Sequence, residues 1–426
     1  MVTTRGSRFG ALRSRNFSLL WFGLIISNSG SWMQLIAQGW LVYDLSRSPF
    51  MLGVVGVSRA LPMILLPPIG GAIADRVPRI KLLKVTQWTN LALALPLPFL
   101  VFAGRAEVWH VIVLGVLSGM VNAFDQPTRQ ALVPDLVQKE QMTSAIALNS
   151  AAWQGSSLIG PAIAGVIIAA LGLGTAFLLN ALSFLAVIGA LYLMRGVPER
   201  SSNTQRRGLF ADVVGGLHYA STTRFVATLL LLSAVASIFG RSYQQLLPAF
   251  ARDVLHQDST GLGLMTSMPG AGTMIAAVIL SSMGDIRRKG TLLLVAMGLF
   301  SAAVVSFAIS RSLNLTFVLL FFAGVTNFLF MTMTQTMLQL YVPGEMRGRV
   351  MALVSVSAQG FAPFGALIVG GLAEVIGTQR AVAGSAVVVG IAALYALLTA
   401  PAIRAFDSDE HLRRREVAEA AAGLAR

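Results

Sequence analysis

The residues able to do chemistry in this chain are charged side chains set into an otherwise almost charge-free sequence. Gly71 opens a stretch in which one acid and four bases crowd together: Asp75, Arg76, Arg79, Lys81 and Lys84. A second acid and base, Asp125 and Arg129, stand one helical turn apart and can pair. A weaker echo of the first cluster recurs at Asp285, Arg287, Arg288 and Lys289. Charges beside a bilayer are seldom left single. These groups therefore suit a set of ion pairs, with the plainer alternative that they only fix topology. Enzyme chemistry finds little footing. The chain has four His and no Cys, no G-x-x-x-x-G-K-[ST] loop for a nucleotide and no H-E-x-x-H for zinc. No catalytic activity, cofactor or metal is expected.

Polar residues also fall in stripes along apolar runs. Ser27, Ser31, Gln34 and Gln38 sit at i, i+4, i+7 and i+11, one helical face. Asn122, Asp125, Gln126 and Arg129 repeat the pattern. Arg241 precedes Tyr243, Gln244 and Gln245, and Asn327, Thr334 and Gln335 lie near one side of a later run. Polar groups facing lipid are unfavourable, so such faces turn inward, either to bond neighbouring helices or to line a path. Arg59 and Arg241 are bases inside apolar runs, where a base marks a functional site by default and a pair with a carbonyl is the rival reading. If both face a cavity, they favour acidic cargo.

The elements that must position these residues are membrane helices. Of 426 residues, 55% are hydrophobic and 12% charged, with a mean hydropathy of +0.72. A soluble domain carries roughly 25% charged residues, so the fold class expected is an all-α integral membrane protein. About twelve runs are long enough to cross a hydrocarbon core of about 30 Å. The net charge of +14 would suggest nucleic acid in a soluble protein. Here the bases flank apolar runs, so no nucleic-acid partner is expected and the lipid surface explains them. With an even number of spans, 25 of the 32 Lys and Arg fall on one side, which places both termini in the cytoplasm. The boundaries expected are a basic arm over 1–16, a first bundle over 17–195, a polar linker over 196–221, a second bundle over 222–402 and a tail over 403–426.

The two bundles repeat. Asp285 follows Asp75 by 210 positions, and Gln154-Gly155 and Gly160-Pro161 are matched 205 positions later by Gln359-Gly360 and Gly365-Ala366. Parallel half-repeats about an axis normal to the membrane are a transporter architecture, with the substrate site between the halves.

The spacing G-x-x-x-D-R-x-x-R-x-K from Gly71 to Lys81, between the second and third spans, resembles the loop signature of the major facilitator superfamily. Asn16-Phe17, Trp40 to Pro49 and Val342 to Val350 resemble its bacterial drug- and siderophore-exporter branch, over about residues 10–405. Gly155, Gly160, Pro161 and Gly165 partly match the antiporter signature of helix five, with Ser156 and Ala164 where that pattern has glycine. Pro78 stands where the loop pattern often has Gly. The resemblance implies the major facilitator fold, two pseudo-symmetric six-helix bundles, and a relay of Asp75, Arg79 and Asp125 that latches an inner gate. It further implies alternating access driven by an ion gradient, with a proton as the coupling ion and export as the direction. Asp125 is the first candidate to carry the proton, since Ser31 occupies a position where related exporters often have Asp. The expected substrate cavity joins Ser31, Gln34, Gln38, Arg59, Asn122, Gln154, Arg241, Gln244, Asn327, Gln335 and Gln359. The expected cargo is a small, mainly lipophilic compound. A siderophore is the alternative, and a non-transporting scaffold or lipid scramblase the rival from another class. A monomer in the bacterial inner membrane completes the expectation. Gly115 and Gly119 form a GxxxG, read as plain packing.

Overall fold

The computed structural model describes residues 10–66, 77–197, 209–283 and 286–406. Gly71, Asp75, Arg76 and Asp285 therefore lie outside the described residues. Every element among the described residues is helical, and nine helices are long and apolar enough to cross a membrane. One of these, Lys139–Leu193, is two passes joined at Gly172, whose φ of 82° ends the helical run. With Arg15–Ser46 and Pro49–Leu65 the count of passes reaches twelve. This is the all-α membrane fold that the composition called for.

In chain order the helices are α1 (Arg15–Ser46), α2 (Pro49–Leu65), α3 (Arg79–Phe102), α4 (Val108–Leu136), α5 (142–171), α6 (173–193), α7 (Leu209–Thr222), α8 (Arg224–Val254), α9 (Ser259–Ser282), α10 (Lys289–Ile309), α11 (Leu313–Tyr341), α12 (Gly344–Ile376) and α13 (Thr378–Thr399). Local chemistry sets their ends. Ser14 caps α1 by accepting from the Phe17 N–H, and its hydroxyl donates to the Leu136 carbonyl at 2.6 Å. Arg47 closes α1 in the left-handed region (φ 51°). Ser48 then caps α2 and Pro49 takes its first turn, where a missing N–H is harmless. Gly377, at φ 86°, separates α12 from α13 as Gly172 separates α5 from α6. The two glycines are 205 positions apart. A backbone conformation closed to most side chains thus recurs at the offset already seen for Gln154 and Gln359.

The chain forms two compact units, one of residues 1–205 with 247–270, the other of 206–246 with 271–426. The division does not follow the sequence halves, since the end of α8 and the start of α9 pack with the first unit. In that unit α1 lies along α5 and α6 over a core of Phe17, Leu20, Leu24, Leu83, Leu132, Leu148 and Leu191. In the second, α10 packs on α11 and α13. The polar segment 196–221 is not wholly a linker: its end folds as α7, whose Gly215 and Gly216 let Arg349 of α12 come within 3.0–3.2 Å of where a Cβ would stand. Glycines there permit a contact that hydropathy alone does not signal.

Candidate functional site

The first unit contains a polar cleft. α1 supplies Ser27, Asn28, Ser31, Gln34 and Gln38, α2 supplies Arg59, α3 Asn90 and Ala94, α4 Gly115, Ser118, Asn122 and Arg129, and α6 Phe184. It holds about 570 Å³ of empty space, continuous with solvent. The α1 stripe is a consequence of the 3.6-residue period, which puts all four of its predicted members on the cleft wall. Gln34 is fixed there by the amide of Asn180, which donates to its side-chain oxygen. α2 and α4 cross at Gly115 and Gly119. A Cβ on Gly119 would overlap the Arg59 carbonyl oxygen, and one on Gly115 would lie 2.8 Å from the Ser58 hydroxyl. This GxxxG is packing, as read from sequence, but packing that sets where Arg59 stands.

Behind the cleft wall lies Asp125, with no exposed surface. Its Oδ1 accepts from Thr86 Oγ1 at 2.7 Å and from Gln87 Nε2 at 2.8 Å, and its Oδ2 pairs with Arg129. Three donors converge on this one carboxylate. Arg129 spans the two environments, pairing with Asp125 on one side and lining the cleft on the other, while its Nε has no partner.

The described charges of the expected relay are arranged differently from that expectation. Arg79 does not meet Asp125. It pairs with Asp135 at the end of α4 and donates to the Ala131 carbonyl at 2.7 Å. Arg79 opens α3, so it faces the last turn of α4, nearly three turns beyond Asp125. Lys81 and Arg288 are exposed, and Lys84 sits 4.0 Å over the Tyr192 ring. In a thermal-melt double-mutant cycle, Arg79→Gln and Asp135→Asn are expected to couple by about 0.5–3 kcal/mol, as residues in one buried network do.

Of the expected cavity residues, Ser31, Gln34, Gln38, Arg59 and Asn122 share the cleft. Gln154 is half-buried and does not line it. In the second unit, Arg241 Nη1 donates to the Ala358 carbonyl at 3.0 Å, which is the carbonyl pairing that rivalled its cavity role. Gln244 and Gln335 are exposed, Asn327 has a buried Nδ2 without a partner, and the side chain of Gln359 lies outside the described residues. On helix five, Gly160 meets Trp32 and Ser29 of α1, and Gly165 meets Ser259 and Gly263 of α9. Pro161 contributes its carbonyl to that contact, and Gly155 faces open space.

Several functional neighbours escaped the sequence reading. Thr86, Gln87 and Asn90 form a short stripe on α3 whose i, i+1, i+4 spacing was visible. Asp135, Asn28 and Ser118 carried no separate signal. The segment Trp40 to Pro49 proves to be half of a clasp. The Tyr43 hydroxyl donates to Asp253, Asp44 takes Arg252 at 2.5 Å and Arg47 at 3.6 Å, and Arg252 lies 5.3 Å from the Trp40 ring centre.

Comparison with known proteins follows this geometry. A family model described as "Transmembrane secretion effector" matches residues 6–422. The staphyloferrin A transporter of Staphylococcus aureus (strain NCTC 8325 / PS 47) is 28% identical over 82% of this chain and 88% of its own length. The multidrug efflux pump Tap of Mycolicibacterium fortuitum is 24% identical over 84% of this chain and 89% of its own. Among solved structures, a bacterial homolog of the human lysosomal transporter Spinster, inward-facing and unoccupied, superposes with a TM-score of 0.71 at 15% identity, covering 92% of this chain and 97% of that one.

Proposed function

Since the chain belongs to the transmembrane secretion effector family of major facilitator transporters, we propose that it exports small compounds by alternating access in exchange for protons. The observation that carries this reading is the cleft itself. A wall of hydroxyls, amides and guanidinium groups inside a membrane bundle marks a solute path, because such groups are too unfavourable there to be retained for packing alone. Asp125 suits the proton, being a carboxylate one side chain removed from the cleft through Arg129. Release of Arg129 toward an arriving solute would leave the Asp125 carboxylate without its ion-pair partner and open to a proton.

Two cargo classes follow from the relatives: lipophilic compounds, as in a multidrug pump, and siderophores. The polar lining favours the second. Both termini in the cytoplasm, the inner membrane as the site of action and a monomeric working unit remain part of the proposal.

The test is efflux of a substrate panel from a strain lacking its own pumps, with and without a protonophore. At least one compound is expected to be retained less in expressing cells, and the difference should vanish with the protonophore. Absence of any protonophore-sensitive flux across the panel would overturn export and leave the scaffold or scramblase reading.

A further inference from the structure

Arginines inside this fold are mostly committed. Arg79 holds Asp135, Arg129 holds Asp125, Arg252 holds Asp44, and Arg241 donates to the Ala358 carbonyl. Arg59 differs. Among the described residues it has no carboxylate or carbonyl partner, and it lines the cleft of the first unit. Its backbone is set by the close crossing of α4, where Gly115 and Gly119 lack the Cβ that would meet the Ser58 hydroxyl and the Arg59 carbonyl. A guanidinium in a membrane bundle without an internal counter-charge is unfavourable until an anion arrives.

The surroundings narrow which anion. The fork of a guanidinium matches the two oxygens of a carboxylate. Gln34, Gln38, Asn90 and Asn122 add amide donors and acceptors on the same wall, and among the described residues no acid lines it, since Asp125 is sealed behind Arg129. A wholly apolar solute would displace water from those amides without replacing its hydrogen bonds, which a polar site penalises. We propose that the cleft binds small hydroxylated carboxylates, with the carboxylate on Arg59 and hydroxyls on the surrounding amides. This rests on the export reading and names its substrate class.

The probe is a matched pair, tartrate and its neutral diamide, measured by calorimetry on the full chain in phosphatidylcholine nanodiscs. Wild type is expected to bind tartrate at least about tenfold more tightly than the diamide, the scale of one truncated buried charge contact. Arg59→Gln should erase that preference, Arg59→Lys should keep part of it, and exchange of the exposed Arg311 for Gln should leave it intact. A thermal melt of each variant separates lost binding from lost folding. Equal binding of the two probes, including no binding of either, overturns the proposal. So does an Arg59→Gln variant that still prefers tartrate. Loss of tartrate binding when phosphatidylglycerol is added would assign the site to a lipid headgroup and also overturn it. Efflux of the substrate panel is read separately, so export can stand while the carboxylate site falls.

Discussion

Asp125→Ala is expected to abolish transport and to reduce folded protein in the membrane sharply. The substitution strips three donors of their acceptor at once: Thr86, Gln87 and Arg129. Removing one partner of a buried ion pair typically costs about 3–5 kcal/mol, because the other charge stays behind unpaired. Asp125→Asn separates the two roles of the carboxylate. It keeps an oxygen for the Thr86 hydroxyl and the Gln87 amide, and loses the charge together with the second oxygen that takes Arg129. Its abundance should exceed that of Asp125→Ala while protonophore-sensitive efflux is still absent. Adding Arg129→Gln to Asp125→Asn should restore abundance further, since removing both charges leaves none unpaired, and should not restore efflux. Wild-type efflux in Asp125→Asn would show that the proton travels elsewhere.

Gly119→Val is the second large effect. The Cβ alone overlaps the Arg59 carbonyl oxygen, and the valine methyls have nowhere to go between α2 and α4. Over-packing of this kind costs about 1–3 kcal/mol when the helices can shift, and here the shift moves Arg59 itself. The expected outcome is a lowered thermal midpoint together with loss of transport, with Gly119→Ala intermediate in both. Gly298→Ala is the control: it sits in α10 with nothing within 4 Å of its built Cβ, so it should be neutral or slightly stabilising through helix propensity. A Gly119→Val protein that transports normally would mean that Arg59 is not held by the crossing.

Much of this was legible in the sequence because it depends on period. The α1 stripe and the Asp125–Arg129 step are fixed by 3.6 residues per turn, and both stand where that period put them. The helix-breaking glycine at 172 and its partner at 377 follow the same repeat that Gln154 and Gln359 announced. What escaped depends on how helices cross. Arg79 and Asp135 are 56 positions apart, and only the α3–α4 packing decides that Arg79 meets Asp135 and not Asp125. For Arg241 the carbonyl pairing named beside its cavity role is the one present, but its partner was not legible. Its acceptor is a backbone carbonyl exposed by a π-turn over Val356–Gly360, where the i→i+5 register leaves Ala358 free to accept from both Ser237 and Arg241. Carbonyls have no letter in the sequence. The α3 polar stripe, Thr86 to Asn90, spans only five residues, too short for its period to stand out from sequence.

One helix belongs to both units. α8 begins in the second and ends in the first, clasped there through Asp253 and Arg252. Its course is interrupted by π-turns at Ala236–Gly240 and Phe250–Val254 and by a non-helical step at Arg241–Ser242. At each π-turn the regular 13-atom rings of an α-helix give way to wider ones, so the long apolar run of α8 is a chain of short helical pieces and not one straight rod.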